Sequence, residues 1–322
     1  MANNNVGILH PRYQNEDAAR EYLEKVRWPD GPVCPHCGLI NEASKVTPKP
    51  DSKSPVRKGV WYCRACEKQF TVTIDSIYED SHIPLHKWLL GFHLMASSKK
   101  GISALQLMRN LELGSYQTAW FLAHRIRWVL TREPVQNLFT GAVEVDETYV
   151  GGKPRYTIPQ STKPGERPQD HYSPTRRAAV VSVLQRGGSV RSHHVEQVNS
   201  KTIKPIIEAM VDKDAHLMTD DSTVLKSAGK NRKHSRVNHT AKEYSRYENG
   251  ECISTNSIES FFAILKRGHY GIYHHWDRKY TGQYLREFDW RYNVRKLDDA
   301  ERTLAALKMT SGKRLMLKDP VR

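Results

Sequence analysis

Several features are missing from this sequence, and each absence excludes a class of protein. No apolar run approaches the roughly 18 residues that a membrane-spanning helix requires. The N-terminal segment "MANNNVGILHPRY" has no basic stretch followed by an apolar core, which argues against a signal peptide. The glycine pair in "GGKPR" lacks the spacing of a phosphate-binding loop, so no ATP requirement is expected. We therefore expect a cytoplasmic protein with no membrane partner.

Acidic residues are outnumbered, because 35 Asp and Glu stand against 50 Lys and Arg and leave a formal net charge of +15. A field of this sign attracts polyanions, so nucleic acid is the expected partner, with a merely solubilising surface as the alternative. The charge is clustered in residues 153–177 and 226–236, which favours nucleic-acid binding. The residues predicted to contact DNA are Lys153, Arg155, Arg232, Lys233, Lys266 and Arg267.

Cysteine is scarce, but four of the five residues form two Cys-x-x-Cys pairs in "CPHCG" and "CRACEKQF". Two such pairs can place four thiolates around Zn²⁺ at ~2.3 Å. Two disulfides or a redox pair are the alternatives, although disulfides are rare in the cytosol. Four thiolates leave no open coordination position, so this zinc would be structural. We predict a zinc ribbon over residues 15–75, with the ligands Cys34, Cys37, Cys63 and Cys66.

Three amphipathic stretches follow, at residues 83–100, 102–113 and 115–130. The last two, joined near Gly114, are typical of a helix-turn-helix in which Ser115 caps the second helix. An ordinary packing unit is the alternative. The residues that would face a DNA groove are Tyr116, Gln117 and Thr118, with Arg125 and Arg127 further along. The prediction is a small helix-turn-helix-like DNA-binding segment over residues 76–135.

The organisation changes after residue 140. Strand patterns at 142–150, 177–188 and 189–198 precede a helix that Ser200 would cap, and a short strand at 215–222 follows. A further strand and a helix at 255–268 complete the pattern. Three antiparallel strands, a helix, further strands and a later helix make an α/β order that fits a ribonuclease-H-like domain, which we predict over residues 140–310.

Three acidic residues stand out in this part of the chain because separate elements contribute them. Asp146 lies within a strand, where Asp is disfavoured, Asp220 lies at a strand end, and Glu259 lies near the start of a helix. Acids placed in this way can converge on two divalent cations about 3.5–4 Å apart, which is the arrangement that serves phosphoryl transfer. We predict Mg²⁺ or Mn²⁺ as the catalytic cofactor.

Each of these assignments has an alternative. Glu259 could complete a capping box with Asn256, and Asn256 itself is a rival third metal ligand. Asp221 is a rival for Asp220, because adjacent strand residues point to opposite faces. Lys266 projects on the same helix face as Glu259 and could contact a phosphate, or it could be a solvated surface lysine.

Several segments resemble one known family. These are "VEVDETYVGGK", "LMTDDS", "HSRVNHTAKEYSR", "TNSIESFFAILKRGHYGIYHHW" and "YLREFDWRYNVRK", together with the N-terminal "CPHCG" and "CRACEKQFTV". Over roughly residues 15–300 the chain is similar to the insertion-sequence transposases of the IS1595 (ISXO2-like) family. The resemblance implies a DDE-type enzyme with the catalytic acids Asp146, Asp220 and Glu259, and with Lys266 contacting the DNA end. His234, Asn238 and His239 resemble a further element of that family near the DNA or metal site.

The resulting hypothesis is a DNA transposase that binds terminal inverted repeats, cuts beside them and transfers the freed strand into target DNA. Because an insertion sequence has two ends, a homodimer or larger assembly on DNA is expected. The protein is expected to be associated with the nucleoid. One alternative is a zinc-ribbon DNA-binding regulator on an inactive transposase scaffold. Another is a structure-specific nuclease or resolvase, which would cut without joining.

Overall fold

The computed structural model describes residues 7–47, 57–130, 137–151, 177–230 and 232–316. Within these ranges no helix is both long and apolar enough to cross a membrane. The chain divides into two compact units. The first is formed by residues 1–131 together with 294–320, and the second by residues 132–293.

The described helices of four or more residues in α geometry are, in chain order, α1 Glu16–Arg27, α2 Leu85–Ser97, α3 Ala104–Asn110, α4 Tyr116–Val129, α5 Ser200–Met210, α6 Thr223–Ala228, α7 Asn256–Gly268, α8 Thr281–Asn293 and α9 Asp299–Lys308. The described strands are β1 Ala43–Lys45, β2 Trp61–Cys63, β3 Gln69–Phe70, β4 Ala142–Val150, β5 Ala178–Gln185, β6 Val190–Val195, β7 His216–Asp220, β8 His234–Val237, β9 Ser245–Glu248 and β10 Glu251–Ser254.

The first unit begins with α1, whose cap Asn15 accepts hydrogen bonds from the next turn. A three-stranded antiparallel sheet in the order β1-β2-β3 follows. Cys34, Cys63 and Phe70 form a small buried cluster at this sheet, and Trp28 packs against it. A core of this size cannot by itself bury much apolar surface, so the ribbon depends on additional cross-linking for stability.

The predicted cap of α4 is confirmed, because the Ser115 hydroxyl accepts the backbone N–H of Thr118 at 3.1 Å. Tyr116 and Gln117 are exposed in the first turn that follows this cap, as is Thr118. Helix α3 packs against α4, and α4 also contacts α2. These contacts agree with a short helix, a turn and a longer helix, which is the order that the sequence indicates.

The two arginines further along α4 are not on the accessible face, so that part of the prediction is wrong. Arg125 is only 7% exposed and Arg127 only 2%. The Arg125 guanidinium lies 4.7 Å from the centroid of the Trp88 ring and donates to the carbonyl oxygen of Glu79 at 3.3 Å. The Arg125 side chain therefore serves packing within the unit, and Arg127 is buried as well, because the amphipathic stripe of α4 is wider than the periodicity indicates.

The C-terminal helix α9 belongs to the first unit, which differs from the predicted end of the second domain at residue 310. Helix α9 packs against α2, where His93 Nδ1 and Thr303 Oγ1 lie 3.0 Å apart. Beyond it, the backbone N–H of Gly312 donates to the carbonyl oxygen of Asp75 at 2.9 Å. The chain therefore returns to the first unit after α8, a connection between distant residues that local patterns do not encode.

The second unit is built on a five-stranded mixed sheet in the order β6-β5-β4-β7-β8. Strand β5 pairs antiparallel with both β4 and β6, whereas β7 is parallel to β4 and β8 is parallel to β7. The predicted strands at 142–150 and 215–222 are confirmed as β4 and β7, which the structure places next to each other in one sheet. Helix α5 begins at Ser200, but its cap is Asn199 rather than Ser200, because the Asn199 side chain accepts the N–H of Thr202 at 3.0 Å.

Both faces of this sheet are covered. On one face Val143 and Val145 of β4 pack in a buried cluster with Ile203 and Ile207 of α5. On the other face the buried cluster contains Val180 of β5 with side chains of α7 and α8. Coverage of both faces agrees with the nearly continuous apolar sequence of β5, "AAVVSVLQ".

A two-stranded hairpin of β9 and β10 leads into α7. Its turn consists of Asn249 and Gly250, which have φ values of 49° and 80°. Two consecutive positive φ values are typical of a tight hairpin turn, and Asn followed by Gly is the sequence that favours it. Because β10 ends at Ser254, the start of α7 is tied to this hairpin.

Candidate active site

Asp146 and Asp220 lie side by side on neighbouring parallel strands. Glu144 of β4 is paired with Met218 of β7. The ladder ends at this pair, and two residues further along each strand lie Asp146 and Asp220, each with a carboxylate oxygen within 4.8 Å of the other. The mid-strand acid and the strand-end acid of the sequence are thus brought together by strand pairing.

The third member of this acidic group is Glu147, which the sequence reasoning missed. One carboxylate oxygen each from Asp146, Glu147 and Asp220 lie within 4.8 Å of one another. Strict alternation along a strand predicts the Glu147 side chain on the face opposite Asp146. Its only signal in the sequence is its position next to Asp146 in "DET".

Local hydrogen bonds orient two of these carboxylates. Asp146 Oδ1 accepts the backbone N–H of Glu147 at 2.8 Å, and Asp220 Oδ1 accepts the backbone N–H of Ser222 at 3.0 Å. Glu147 Oε2 is buried and accepts no hydrogen bond from the described part of the chain. A buried carboxylate oxygen without a donor is unfavourable, since it has lost water without gaining a partner.

Burial and mutual repulsion raise the pKa values of Asp146 and Glu147 in this acidic group. The pKa of Asp146 is raised to about 8, mainly by burial and in part by the charges of Asp220, Glu147 and Glu259, against the lowering effect of its backbone hydrogen bond. Burial likewise raises the pKa of Glu147, with the charge of Asp220 as a second cause. A divalent cation would stabilise the ionised carboxylates, and the oxygen-only ligand set suits Mg²⁺ or Mn²⁺. The residues present therefore fit such a metal.

Glu259 lies close enough to influence Asp146 electrostatically, but its own carboxylate is engaged elsewhere. Glu259 Oε1 accepts a hydrogen bond from Thr255 Oγ1 at 2.8 Å and lies 3.3 Å from His239 Nε2. Helix α7 is preceded by Thr255 as its cap residue, so a capping box between Asn256 and Glu259 does not form. Asn256 is exposed at the first position of the helix.

Glu144 ties the start of α7 to the strand that carries Asp146. Its side chain is fully buried, its Oε2 accepts the backbone N–H of Ile258 at 2.8 Å, and its Oε1 accepts from Arg186 Nε at 2.6 Å. Arg186 also donates to the Ser254 carbonyl oxygen at 2.8 Å and to the carbonyl oxygen of Cys252. A carboxylate at a helix N-terminus is favourable, because it complements the unpaired N–H groups of the first turn.

The remaining acidic and histidine candidates have partners of their own. Asp221, the rival of Asp220, forms an ion pair with Arg236 at 2.5 Å. His234 Nε2 lies 2.9 Å from Thr219 Oγ1, and the Asn238 side chain accepts the N–H of Ala241 at 3.1 Å. Of the two adjacent aspartates, Asp220 is the one grouped with Asp146.

The residues predicted to contact DNA are distributed differently. Lys266 and Arg267 are exposed in the last turn of α7. Lys233 is exposed and lies 3.2 Å from Glu251, whereas Arg232 is half-buried and donates to the carbonyl oxygen of Val211 at 3.4 Å. Lys153 and Arg155 lie outside the described residues.

The second metal-type cluster is formed by the four predicted cysteines. Cys34, Cys37, Cys63 and Cys66 are all free thiols whose sulfur atoms lie within 4.8 Å of one another. The Sγ atoms of Cys34 and Cys66 are 3.6 Å apart, and those of Cys37 and Cys63 are 3.7 Å apart. Bonds of ~2.3 Å in a tetrahedron place sulfurs about 3.8 Å apart. These spacings therefore fit a structural Zn²⁺ and are too long for a disulfide bond.

The fold and its two clusters define a class of protein, namely a four-cysteine zinc ribbon combined with a mixed α/β domain that carries an acidic site. Comparison with family models gives the particular family. Residues 14–69 match the transposase zinc-ribbon domain and residues 139–293 match the ISXO2-like transposase domain, both of the IS1595 group. Together these matches cover more than half of the chain, which belongs to the IS1595 (ISXO2-like) family of insertion-sequence transposases.

Individual relatives are more distant. A Halobacterium salinarum protein, described as an uncharacterized protein in transposable element ISH50, is 26% identical over 144 residues, which cover 43% of this chain and 43% of that protein. The chain thus matches less than half the length of this relative. Crystal structures of the Mos1 strand transfer complex and of the Mos1 mariner paired end complex with Mn cover 66% and 64% of the chain and 74% of each of those chains, at 11% and 12% identity. Both TM-scores are 0.19, too low to support an argument about the fold.

Proposed function

We propose that this protein is a DDE-type transposase whose second unit is ribonuclease-H-like and cuts and joins DNA strands at the acidic site. The observation that carries the proposal is the meeting of Asp146, in the middle of β4, with Asp220, at the end of the adjacent parallel strand β7. The sheet supports the ribonuclease-H-like assignment, because three antiparallel strands are followed by two strands parallel to the first. Membership in a transposase family is the second support.

In this proposal Asp146 and Asp220 hold Mg²⁺ or Mn²⁺, and Glu259 is the third acid of the triad. Bound divalent cations supply charge stabilisation to the attacking and leaving oxygens of a phosphodiester. Glu144 and Arg186 position the first turn of α7 against β4, which keeps Glu259 beside Asp146. Lys266 lies two turns further along α7 from Glu259, where its ammonium can contact a DNA phosphate.

The proposed substrate is double-stranded DNA, first the terminal inverted repeats and then the target. The net charge of +15 supports this choice, as do the exposed Lys266 and Arg267. The exposed first turn of α4, with Gln117 at its centre, is the proposed groove-reading surface of the helix-turn-helix-like segment. Because two ends must be processed together, we propose a dimer or larger assembly on DNA.

The test is a cleavage and joining assay with Mg²⁺ on a labelled duplex that carries the inverted repeats flanking the gene. Wild-type protein should cut beside the repeat and join the freed strand to a plasmid. Asp146→Asn and Asp220→Asn should each lower both steps by at least ~10³-fold, because each removes a metal-binding charge. Asp221→Asn, which removes a neighbouring acid outside the group, should retain activity. Full activity of Asp146→Asn would contradict the proposal.

A second candidate is a DNA-binding regulator on an inactive transposase scaffold. The observation that favours it is the engagement of Glu259 by Thr255 and His239 instead of by the acidic group. The regulator would bind the same repeats with the same salt dependence, but neither Mg²⁺ nor Mn²⁺ would produce cleavage. A structure-specific nuclease would instead cut branched DNA without joining, and the joining step of the assay distinguishes that outcome.

A further inference from the structure

Glu147 has a buried oxygen that its surroundings do not satisfy. Its Oε2 has no hydrogen-bond donor among the described residues, whereas Asp146 and Asp220 each accept a backbone N–H. Ionised carboxylates only accept hydrogen bonds, and buried acceptors in folded proteins almost always find a donor or an ion. The unsatisfied oxygen belongs to one of three carboxylates, each of which brings one oxygen within 4.8 Å of the others.

A proton shared among the three carboxyl groups does not explain the unsatisfied Glu147 oxygen. A proton shared between other oxygens of the three acids would relieve part of the crowding, but it would leave Glu147 Oε2 without a hydrogen-bond partner among the described residues. A water molecule could satisfy the oxygen but would leave the repulsion among three acids in place. A cation removes both penalties together, because it ligates the oxygen and neutralises the charge.

Strand pairing holds Glu147 in place. It lies opposite Val181 in the antiparallel ladder of β4 and β5, in the middle of a long paired segment. A ligand on a paired central strand has little backbone freedom to lose when a metal binds. Glu259 differs, since its side chain is about two-fifths exposed and already bonded to Thr255 and His239.

We propose that Glu147 supplies a third carboxylate ligand to the divalent cation that Asp146 and Asp220 hold, so that this cation binds without Glu259. The inference rests on the proposed function, because it assumes that the acidic group is a metal site. It departs from the triad expected from the family resemblance by giving the DNA-free protein a ligand set composed of Asp146, Glu147 and Asp220. Glu259 then contributes little to cation affinity before DNA is bound.

The test is a titration of the zinc-loaded full chain with Mn²⁺ in the absence of DNA, followed by calorimetry or by the electron paramagnetic resonance signal of free Mn²⁺. Glu147→Gln should weaken Mn²⁺ binding by roughly tenfold or more, because it removes a charged ligand without changing the shape of the side chain. Glu259→Gln should change the affinity less than about threefold. Asp221→Asn, the matched control for the loss of one nearby negative charge, should behave like Glu259→Gln.

The stability of the metal-free variants separates ligation from a structural role. Thermal unfolding of metal-free Glu147→Gln should occur at or above the wild-type midpoint, because the substitution relieves repulsion and breaks no hydrogen bond of Oε2. Glu147→Asp, which keeps the charge on a shorter side chain, should bind Mn²⁺ with an intermediate affinity. Destabilisation of metal-free Glu147→Gln would overturn the inference by giving Glu147 a structural role.

Mn²⁺ binding by Asp146→Asn distinguishes a failure of the inference about Glu147 from a failure of the proposed function. If Asp146→Asn and Glu147→Gln both bind Mn²⁺ as tightly as wild type, the acidic group is not a metal site and the proposed function fails with the inference. If Asp146→Asn loses binding but Glu147→Gln does not, only the inference is overturned. If Glu259→Gln loses binding as strongly as Asp146→Asn while Glu147→Gln does not, the triad expected from the family is the ligand set.

Discussion

The four-cysteine cluster and the three-carboxylate cluster of this chain are both suited to metals, but they are assembled in different ways. Each cysteine pair is three residues apart, so one turn of backbone positions two ligands. The carboxylates come from β4 and β7, which are about seventy residues apart in sequence and meet through strand pairing. The thiolate site is therefore largely local, whereas the carboxylate site exists only in the folded sheet.

The largest expected effect comes from breaking the local site. Cys63→Ser should abolish zinc binding and unfold the ribbon, because structural zinc in small domains contributes about 10–16 kcal/mol of binding free energy to folding. Zinc content can be measured by mass spectrometry, and unfolding by amide hydrogen exchange across residues 15–75. The sheet of the second unit should keep its protection. If the variant kept both its zinc and the hydrogen-exchange protection of residues 15–75, the four-cysteine site would not be what stabilises the ribbon.

The next effect concerns the scaffold of the tertiary site. Glu144→Ala should lower the free energy of unfolding by about 3 kcal/mol, because Arg186 and the N–H of Ile258 lose a buried partner. Chemical denaturation of the metal-free protein measures this change. As a control, Glu208→Ala removes an exposed ion pair with Lys204 and should change stability by less than about 0.5 kcal/mol. Equal effects of the two substitutions would mean that Glu144 does not hold the site together.

A third, intermediate effect separates packing from proposed DNA contact on α4. Arg125→Ala should lower the free energy of unfolding by about 2 kcal/mol, since its buried guanidinium packs on Trp88 and bonds to Glu79. Gln117→Ala should leave stability unchanged but weaken binding to the repeat by about 1–2 kcal/mol, if this turn reads a groove. Denaturation and gel-shift titration measure the two quantities. Unchanged repeat binding by Gln117→Ala would remove the groove-reading role.

The smallest effect concerns a feature that is entirely local. Ser115→Ala should cost about 1 kcal/mol of stability, because the N–H of Thr118 loses its acceptor. Thermal denaturation of the variant measures the change, and Ser115→Asn, which can cap equally well, is the matched control. A loss in the Asn variant as large as in the Ala variant would assign the effect to something other than capping.

Much of the architecture was predictable for the same reason that the cysteine site was. The strands at 142–150 and 215–222, the helix at 255–268 and the cap at Ser115 follow from periodicity and capping chemistry within a few residues. Family membership was predictable because the motifs are contiguous segments. Asp146 and Asp220 were identified as candidates because an acid within or at the end of a buried strand is unusual.

The wrong or missing predictions concern features that depend on contacts between residues far apart in the sequence. Arg125 and Arg127 were expected on an accessible face, yet neighbouring elements bury them. Helix α9 was expected in the second domain but packs on α2. Glu147 was not among the predicted site residues, although one of its carboxylate oxygens lies within 4.8 Å of those of Asp146 and Asp220. Glu144 was not singled out from the sequence, and only the fold shows that its carboxylate accepts the backbone N–H of Ile258 in the first turn of α7.

The amino-acid sequence by itself determined the four-cysteine cluster, the order of helices and strands, the positive charge and the family, because each depends on neighbours along the chain. The tertiary structure alone decided which acids meet, which arginines are buried and where the last helix packs. Those outcomes depend on strand register and on helix packing between residues far apart in sequence. Short-range patterns constrain such distances only weakly, and a change of one residue in register would reverse the face on which every side chain of a strand lies.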